Sequence, residues 1–247
     1  MTELSNLENW EVSKVKNMKS IFNMGTSYSG DLEDISALSK WDVSNVEDMS
    51  NMFQSSRKLS DLAGIKDWNV SNVKNMHGMF CRCNALVELT SIKDWDVSNV
   101  ENMSYMFYGC DGLTDLGGLS DWDVSKVKNM RGMFDMDYIS SYKPSYDLSG
   151  LEKWDVGNVR DMSYMFRCNG FIDLASLKEW NVSNVRNMGH MFMWCSSLED
   201  LSGLCKWNIS KVENMENMFS FLYRLKALSG LSDWDVSNVN NMSEIFY

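Results

Sequence analysis

Apolar positions along this chain fall into one word that recurs nine times. Aligned on its tryptophan, the word reads Leu-x-x-Leu-x-x-Leu-x-x-Trp-Asp-Val-Ser-Asn-Val-x-Asn-Met-x-x-Met-Phe, followed by a short turn. In the leucine half, one copy places Leu113, Leu116 and Leu119 around Gly117-Gly118, and another contains Gly203; these short, glycine-bearing runs predict a brief strand or extended arc. In the second half, Val100, Met103, Met106 and Phe107 stand at i, i+3, i+6 and i+7, which predicts one face of a short helix or 3-10 segment. Ser98 with Glu101 reads as a capping box for it, and Ser44 with Glu47 and Ser210 with Glu213 repeat the pairing. Gly157 replaces the serine in one copy.

The tryptophans Trp10, Trp41, Trp68, Trp95, Trp122, Trp154, Trp180, Trp207 and Trp234 are separated by 31, 27, 27, 27, 32, 26, 27 and 27 residues. A period of this size marks a stacked repeat protein, and spaced leucines at its start suggest a leucine-rich-repeat-like unit. The expected fold is therefore an α/β repeat solenoid, leucine-rich-repeat-like, forming a single domain over residues 1–247. It has nine units, mostly 27 residues long, each a short strand plus a short helix or 3-10 segment. One unit cannot bury its apolar side alone, so the methionines from Met18 to Met242 and the phenylalanines from Phe22 to Phe246 should form inward columns. The tryptophan column should be structural too.

Composition changes this picture little. Apolar residues make up 44% of the chain and proline occurs once, so a packed array is expected rather than linked domains. A net charge of −11 disfavours nucleic acid and anionic membrane surfaces as partners. No apolar run reaches the roughly 18 residues of a spanning helix, so no membrane insertion is expected. The N-terminus lacks the basic and apolar segments of a signal peptide. His77 and His190 lie about four repeats apart, and Cys81-Arg-Cys83 lacks a second pair at zinc spacing. With no Ser/His/Asp grouping, phosphate-cradling glycine loop or metal-ligand cluster, the sequence predicts a non-enzymatic protein without cofactor or metal.

A position repeated along a solenoid becomes a ladder with rungs about 4.8 Å apart where strands stack. One such column is acidic: Asp34, Asp61, Glu88, Asp115, Asp147, Asp173 and Asp200, ending at Ala227. In-line like charges repel, and no local role explains them from sequence, so the column is a candidate surface for a basic partner or cations. A second column after the tryptophan, including Asp42, Asn69, Asp96 and Asp123, is explained by local hydrogen bonding to turns. The residue two before the methionine alternates in sign through Lys16, Glu47, Lys74, Glu101 and Lys128, as a solvated face would. Cys83 with Cys110, and Cys168 with Cys195, are either buried turn thiols or neighbours within disulfide reach.

Departures from the word supply the remaining candidates. Long turns follow Phe22 and Phe134, and the second, at 135–146, carries Tyr138, Tyr142, Pro144 and Tyr146. Both insertions fall at one point of the repeat, so they should project from one edge, and insertions on one face often mark a binding face. Met193-Trp194 and Phe221-Leu222-Tyr223 place apolar residues at turn positions of consecutive copies, as a contact patch or as core sealing.

The string from Trp95 to Leu113, Trp-Asp-Val-Ser-Asn-Val-Glu-Asn-Met-Ser-Tyr-Met-Phe-Tyr-Gly-Cys-Asp-Gly-Leu, resembles the BspA-like surface-protein repeat. The same repeat is found in mycoplasma-type lipoproteins and is catalogued as a domain of unknown function. The resemblance covers nearly the whole chain. It implies a leucine-rich-repeat-like solenoid of bacterial surface proteins, often adhesive, with no catalytic activity and no family-wide binding residues. The chain departs from the pattern in lacking a signal or lipobox cysteine and a cell-wall anchor, and in its slightly long period. The expected function is a protein-interaction or adhesion scaffold for a protein or glycan ligand, with end-to-end self-association open. The alternative is an intracellular binding module or inhibitor whose acidic surface blocks a basic or nucleic-acid-binding site. Location follows the same division: cell surface for a fragment of a longer protein, cytoplasm for a native start at Met1.

Overall fold

A computed structural model gives the fold and describes residues 4–25, 32–136 and 147–247. Among these there is no α-helix, and strand pairing consists of isolated bridges. Helical structure is confined to 3-10 segments at Ser36–Lys40, Ala63–Ile65, Thr90–Ile92, Gly117–Leu119, Leu148–Leu151, Ala175–Leu177 and Ser202–Leu204. The array is a repeat fold, but the two halves of each unit have exchanged the roles that their patterns suggested.

The leucine half, expected to be extended, carries the 3-10 turns. Leu113, Leu116, Leu119 and Trp122 are three residues apart, which matches the 3.0 residues per turn of a 3-10 helix and not the period of two of a strand. Leu119 and Trp122 donate their N–H groups to the carbonyls of Leu116 and Leu119 at 2.9 and 3.2 Å. Its glycines allow close stacking: a Cβ on Gly118 would stand 2.3 Å from the Leu89 carbonyl oxygen, and one on Gly203 2.2 Å from that of Leu174.

The second half, expected to be helical, carries the ladder. Parallel bridges link Asn17, Asp48, Asn75, Asn102, Asn129, Asp161, Asn187, Asn214 and Asn241, each to its counterpart in the next copy. The N–H groups of Met103, Tyr105, Phe107 and Gly109 donate forward to the carbonyls of Asn129, Arg131, Met133 and Asp135 at 2.8–3.0 Å. Those of Met106 and Tyr108 turn back to Met103 and Tyr105 at 3.2 and 3.1 Å. An α-helix would need these donors for its own carbonyls four residues back. Short polar side chains tip the balance by offering local bonds: Asn102 Oδ1 accepts from Ser104 N at 3.1 Å and Asp96 Oδ1 from Ser98 N at 3.1 Å. The capping boxes are therefore absent. Glu47, Glu101 and Glu213 instead bond Lys74, Lys128 and Arg186 on neighbouring rungs.

The core lies where the apolar columns placed it. Phenylalanine rings stack copy on copy from Phe22 to Phe246, with centroids 5.6 to 6.0 Å apart. Met49, Met76, Met103, Met130, Met162 and Met188 are fully buried beside them. From Trp41 to Trp234 the repeat indoles reach one copy back, as when Trp122 Nε1 donates to the Ile92 carbonyl at 3.1 Å and Trp207 Nε1 to that of Leu177 at 2.9 Å. The tryptophans are thus structural pins. The asparagine of Val-Ser-Asn-Val works alike, Asn99 Nδ2 donating to the Ser71 carbonyl at 2.8 Å.

The cysteines are free thiols. Cys83, Cys110 and Cys195 donate one copy back to the carbonyls of Phe53, Phe80 and Phe166, at 3.4, 3.1 and 3.1 Å. Burial pushes the Cys110 thiol well above its ordinary pKa, so it stays protonated and packs as a small apolar group.

Candidate binding face

The forward-donating ladder places a left-handed residue two places after the inward methionine and, in most copies, another six places after it. The first column includes Asn51, Gly78, Tyr105, Gly132, Tyr164, His190 and Asn217; the second includes Ser55, Arg82, Gly109, Cys168, Trp194 and Phe221, all at φ between 53° and 65°. Glycine suits such positions, and a bulky residue there costs roughly 1–3 kcal/mol. These positions and their neighbours make up a face whose side chains differ from rung to rung, whereas the Met and Phe columns behind them hardly change. Aromatic and guanidinium groups gather on it despite the backbone cost.

The centre of the face is a tyrosine–arginine stack. Arg131 lies between Tyr105 and Tyr164, its Cζ 5.9 and 4.7 Å from the two ring centroids. Its Nε donates to Tyr105 Oη at 2.6 Å and its Nη1 to Ser163 Oγ at 3.0 Å. Gly132 makes room for this arrangement, since a Cβ there would come 2.5 Å from the Tyr105 ring. Arg167 also approaches Tyr164, its Cζ 5.1 Å from the ring centroid, and forks onto Asp135, Nε to Oδ1 at 2.9 Å and Nη2 to Oδ2 at 3.0 Å. Asp135 is 1% exposed and Arg167 24%. His77, with Nδ1 2.7 Å from Ser104 Oγ, meets the Tyr105 ring edge-on. His77, Tyr105, Asp135, Tyr164 and Arg167, together with Asn51, Arg82 and Tyr108, line an open groove of about 450 Å³ beside the stack.

The face continues into the C-terminal aromatic patch. Tyr164 stacks on His190 at 4.4 Å, and the His190 ring contacts Met193. Trp194 stacks on Phe221 at 4.1 Å and meets Tyr223 edge-on at 5.9 Å, with Tyr223 68% exposed. The patch is half-exposed rather than sealed into the core. Tyr138, Tyr142 and Tyr146, and most of both long turns, lie outside the described residues.

Among the described residues, no group of three or more His, Cys, Asp or Glu side chains is arranged to hold a metal ion, and no helix is long and apolar enough to cross a membrane. The acidic column does have a local role. Asp34, Asp61, Asp115, Asp147 and Asp173 each accept, through Oδ1, from the backbone N–H two residues on at 2.7–2.9 Å, where the 3-10 turn begins. Asp200 does so at 2.5 Å, and Glu88 does the same with Thr90 N through its Oε2 at 2.8 Å. These side chains cap turns, and all but Asp200 remain exposed. The second column behaves as expected: Asp42, Asp96, Asp123 and Asp235 take the N–H two residues on at 3.0–3.1 Å.

The pH response follows from these contacts. Burial holds His77 and His190 below their ordinary pKa near 6.5, so the fold prefers the neutral rings. Hydrogen bonds from Lys74 and Lys128 hold Glu47 and Glu101 below the usual 4.5. In each case the unfolded chain binds more protons on acidification. The melting temperature should therefore start to fall below about pH 6.5 and fall further through the carboxylate range. Changing His77 and His190 to Gln should remove the first stage only; a thermal-melt series from pH 8 to pH 3 checks this.

The tyrosine–arginine cluster is not visible in the sequence because its bonded partners across copies, such as Arg131 with Tyr105 and with Ser163, are 26 and 32 residues apart. The usable signal was variability between copies beside invariant columns. A family model described as "Mycoplasma protein of unknown function, DUF285" matches residues 1–111, 33–145 and 135–247. No curated protein matches the chain. Among solved structures, an internalin from Listeria monocytogenes str. 4b F2365 aligns over 86% of this chain and 80% of its own, at 10% identity and a TM-score of 0.24. A likeness at that score carries no argument about fold or function.

Proposed function

The chain belongs to the Mycoplasma protein family of unknown function DUF285, and on that footing we propose that it is a non-enzymatic protein-interaction scaffold of the bacterial surface-adhesion type. One observation carries this reading: a core that repeats from copy to copy supports a face that does not, where aromatic and arginine side chains occupy costly left-handed positions. Tyr, Trp and Arg are the side chains that most often dominate protein contacts. Arg131, Tyr164, Trp194, Phe221 and Tyr223 are the residues assigned to the contact, and the BspA-like resemblance of the repeat supports adhesion as its purpose. The ligand is a protein or a glycan.

The test is capture of surface proteins and glycans by the intact chain and by an Arg131→Ala/Tyr164→Ala variant, with folding checked by near-ultraviolet circular dichroism. Ligands held by the first and lost by the second support the reading; unchanged capture moves the site elsewhere.

A second reading, an intracellular inhibitor of a basic site, draws on the exposed acidic column. The Asp61→Asn/Asp115→Asn/Asp173→Asn variant separates the two. Asparagine keeps the Oδ1 acceptor and so the turn cap, and stability should change by less than about 1 kcal/mol. Retained binding, measured by titration of the captured ligand, rejects the acidic column as the site; lost binding with an unchanged fold supports it.

A further inference from the structure

The sign alternation two places before the inward methionine breaks after Glu101: Lys128, Arg160 and Arg186 are consecutive cations before Glu213 restores the pattern. Two residues earlier, where most units carry asparagine, Lys126 stands in the Lys128 copy and Lys211 in the Glu213 copy, their Nζ atoms bonded to Asn99 and Asn184 at 2.6 and 2.7 Å. These five cations line an open groove of about 520 Å³ to which Glu101 contributes the one carboxylate. All five are exposed, in a chain of net charge −11.

We infer that this groove binds a short acidic segment of a partner protein. Backbone bonds of 2.9 Å from Arg160 N to the Lys128 carbonyl, and from Arg186 N to that of Arg160, place the three side chains on consecutive rungs. Three like charges at about 4.8 Å spacing repel unless an anion lies among them. The outer two are neutralised within the chain, Lys128 by Glu101 at 2.7 Å and Arg186 by Glu213. Arg160 has no ion pair among the described residues. It is the central anchor, and a guanidinium suits a carboxylate bidentately. The flanking glutamates set the length. Positive potential spans two rung spacings, roughly 10 Å, enough for two or three carboxylates. A continuous polyanion such as nucleic acid or a long sulfated glycan would run onto Glu101 at one end and Glu213 at the other. The inference assumes the interaction-scaffold reading but uses a separate surface.

The test is fluorescence anisotropy of a labelled hexaglutamate peptide titrated with the intact chain. We expect saturable binding at low salt that weakens at least about tenfold when sodium chloride rises toward 200 mM. Arg160→Glu should weaken it roughly tenfold and Arg160→Gln roughly threefold, with unchanged circular dichroism. Tyr164→Ala, in the tyrosine–arginine groove, should leave it unaltered, so loss of the adhesive reading would not affect this result. Absence of saturable peptide binding overturns the proposal. So does indifference to Arg160→Glu, or tighter binding of a single-stranded oligonucleotide or sulfated oligosaccharide than of the peptide.

Discussion

Replacing Phe107 with alanine is expected to cost about 3–5 kcal/mol of stability. Its ring is fully buried and stacked between Phe80 and Phe134, with centroids 5.8 Å away on each side. Truncation removes buried apolar area and leaves a cavity that the ladder cannot close. Rung spacing is held by the backbone bonds from Met103, Phe107 and their neighbours to the next copy. Because solenoid stability is a sum of unit and nearest-neighbour terms, the loss also uncouples the two sides of the array. The same change at Phe246, which is 49% exposed, should cost about 1 kcal/mol or less. Urea unfolding followed by tryptophan fluorescence measures both, and a broadened or two-step transition for Phe107→Ala would be the mark of uncoupling. Equal, small losses at the two positions would show that the phenylalanine stack is not the main source of cohesion.

Arg167→Ala is expected to cost about 3 kcal/mol, the lower end of the range for breaking a buried ion pair. Asp135 is almost wholly buried and takes both prongs of the guanidinium, so removing arginine strands a carboxylate away from water. Partial exposure of Arg167 lets some water reach the site and keeps the figure low. Arg167→Lys retains charge but loses the fork, and should fall between. Joint replacement by Arg167→Met and Asp135→Leu should recover most of the loss, since neither charge then needs a partner. A denaturation cycle over the four proteins gives the coupling directly. If the double variant is no more stable than Arg167→Ala, the pair is doing something other than satisfying one buried charge.

How much of this was readable beforehand depends on how far apart the interacting atoms lie in the chain. The period and the inward Met and Phe columns were legible because each copy states them again. Element types were not. Leucines three apart beside glycines read as an extended arc, but Gly118 and Gly203 are there because the previous copy's backbone passes within contact distance. Met103, Met106 and Phe107 looked helical because spacings of three and four are shared by a helix and by a run of tight turns. Only the destination of the Met103 and Tyr105 N–H groups separates the two, and that destination is in another copy. The acidic column lost its puzzle for a related reason: Asp115 caps a 3-10 turn, so its local role disappears once that half is taken as extended. The tyrosine–arginine face depends on register carried across the 32-residue gap between Trp122 and Trp154, which no spacing argument fixes.

The direction of the bonds between copies has one more implication. Indole N–H groups reach backward while the alternate N–H groups that follow each inward methionine reach forward, so the two ends of any such array are chemically different. Growth or shortening by whole units in that direction would leave every surviving bond as it was, so length can change without altering the polarity of the array.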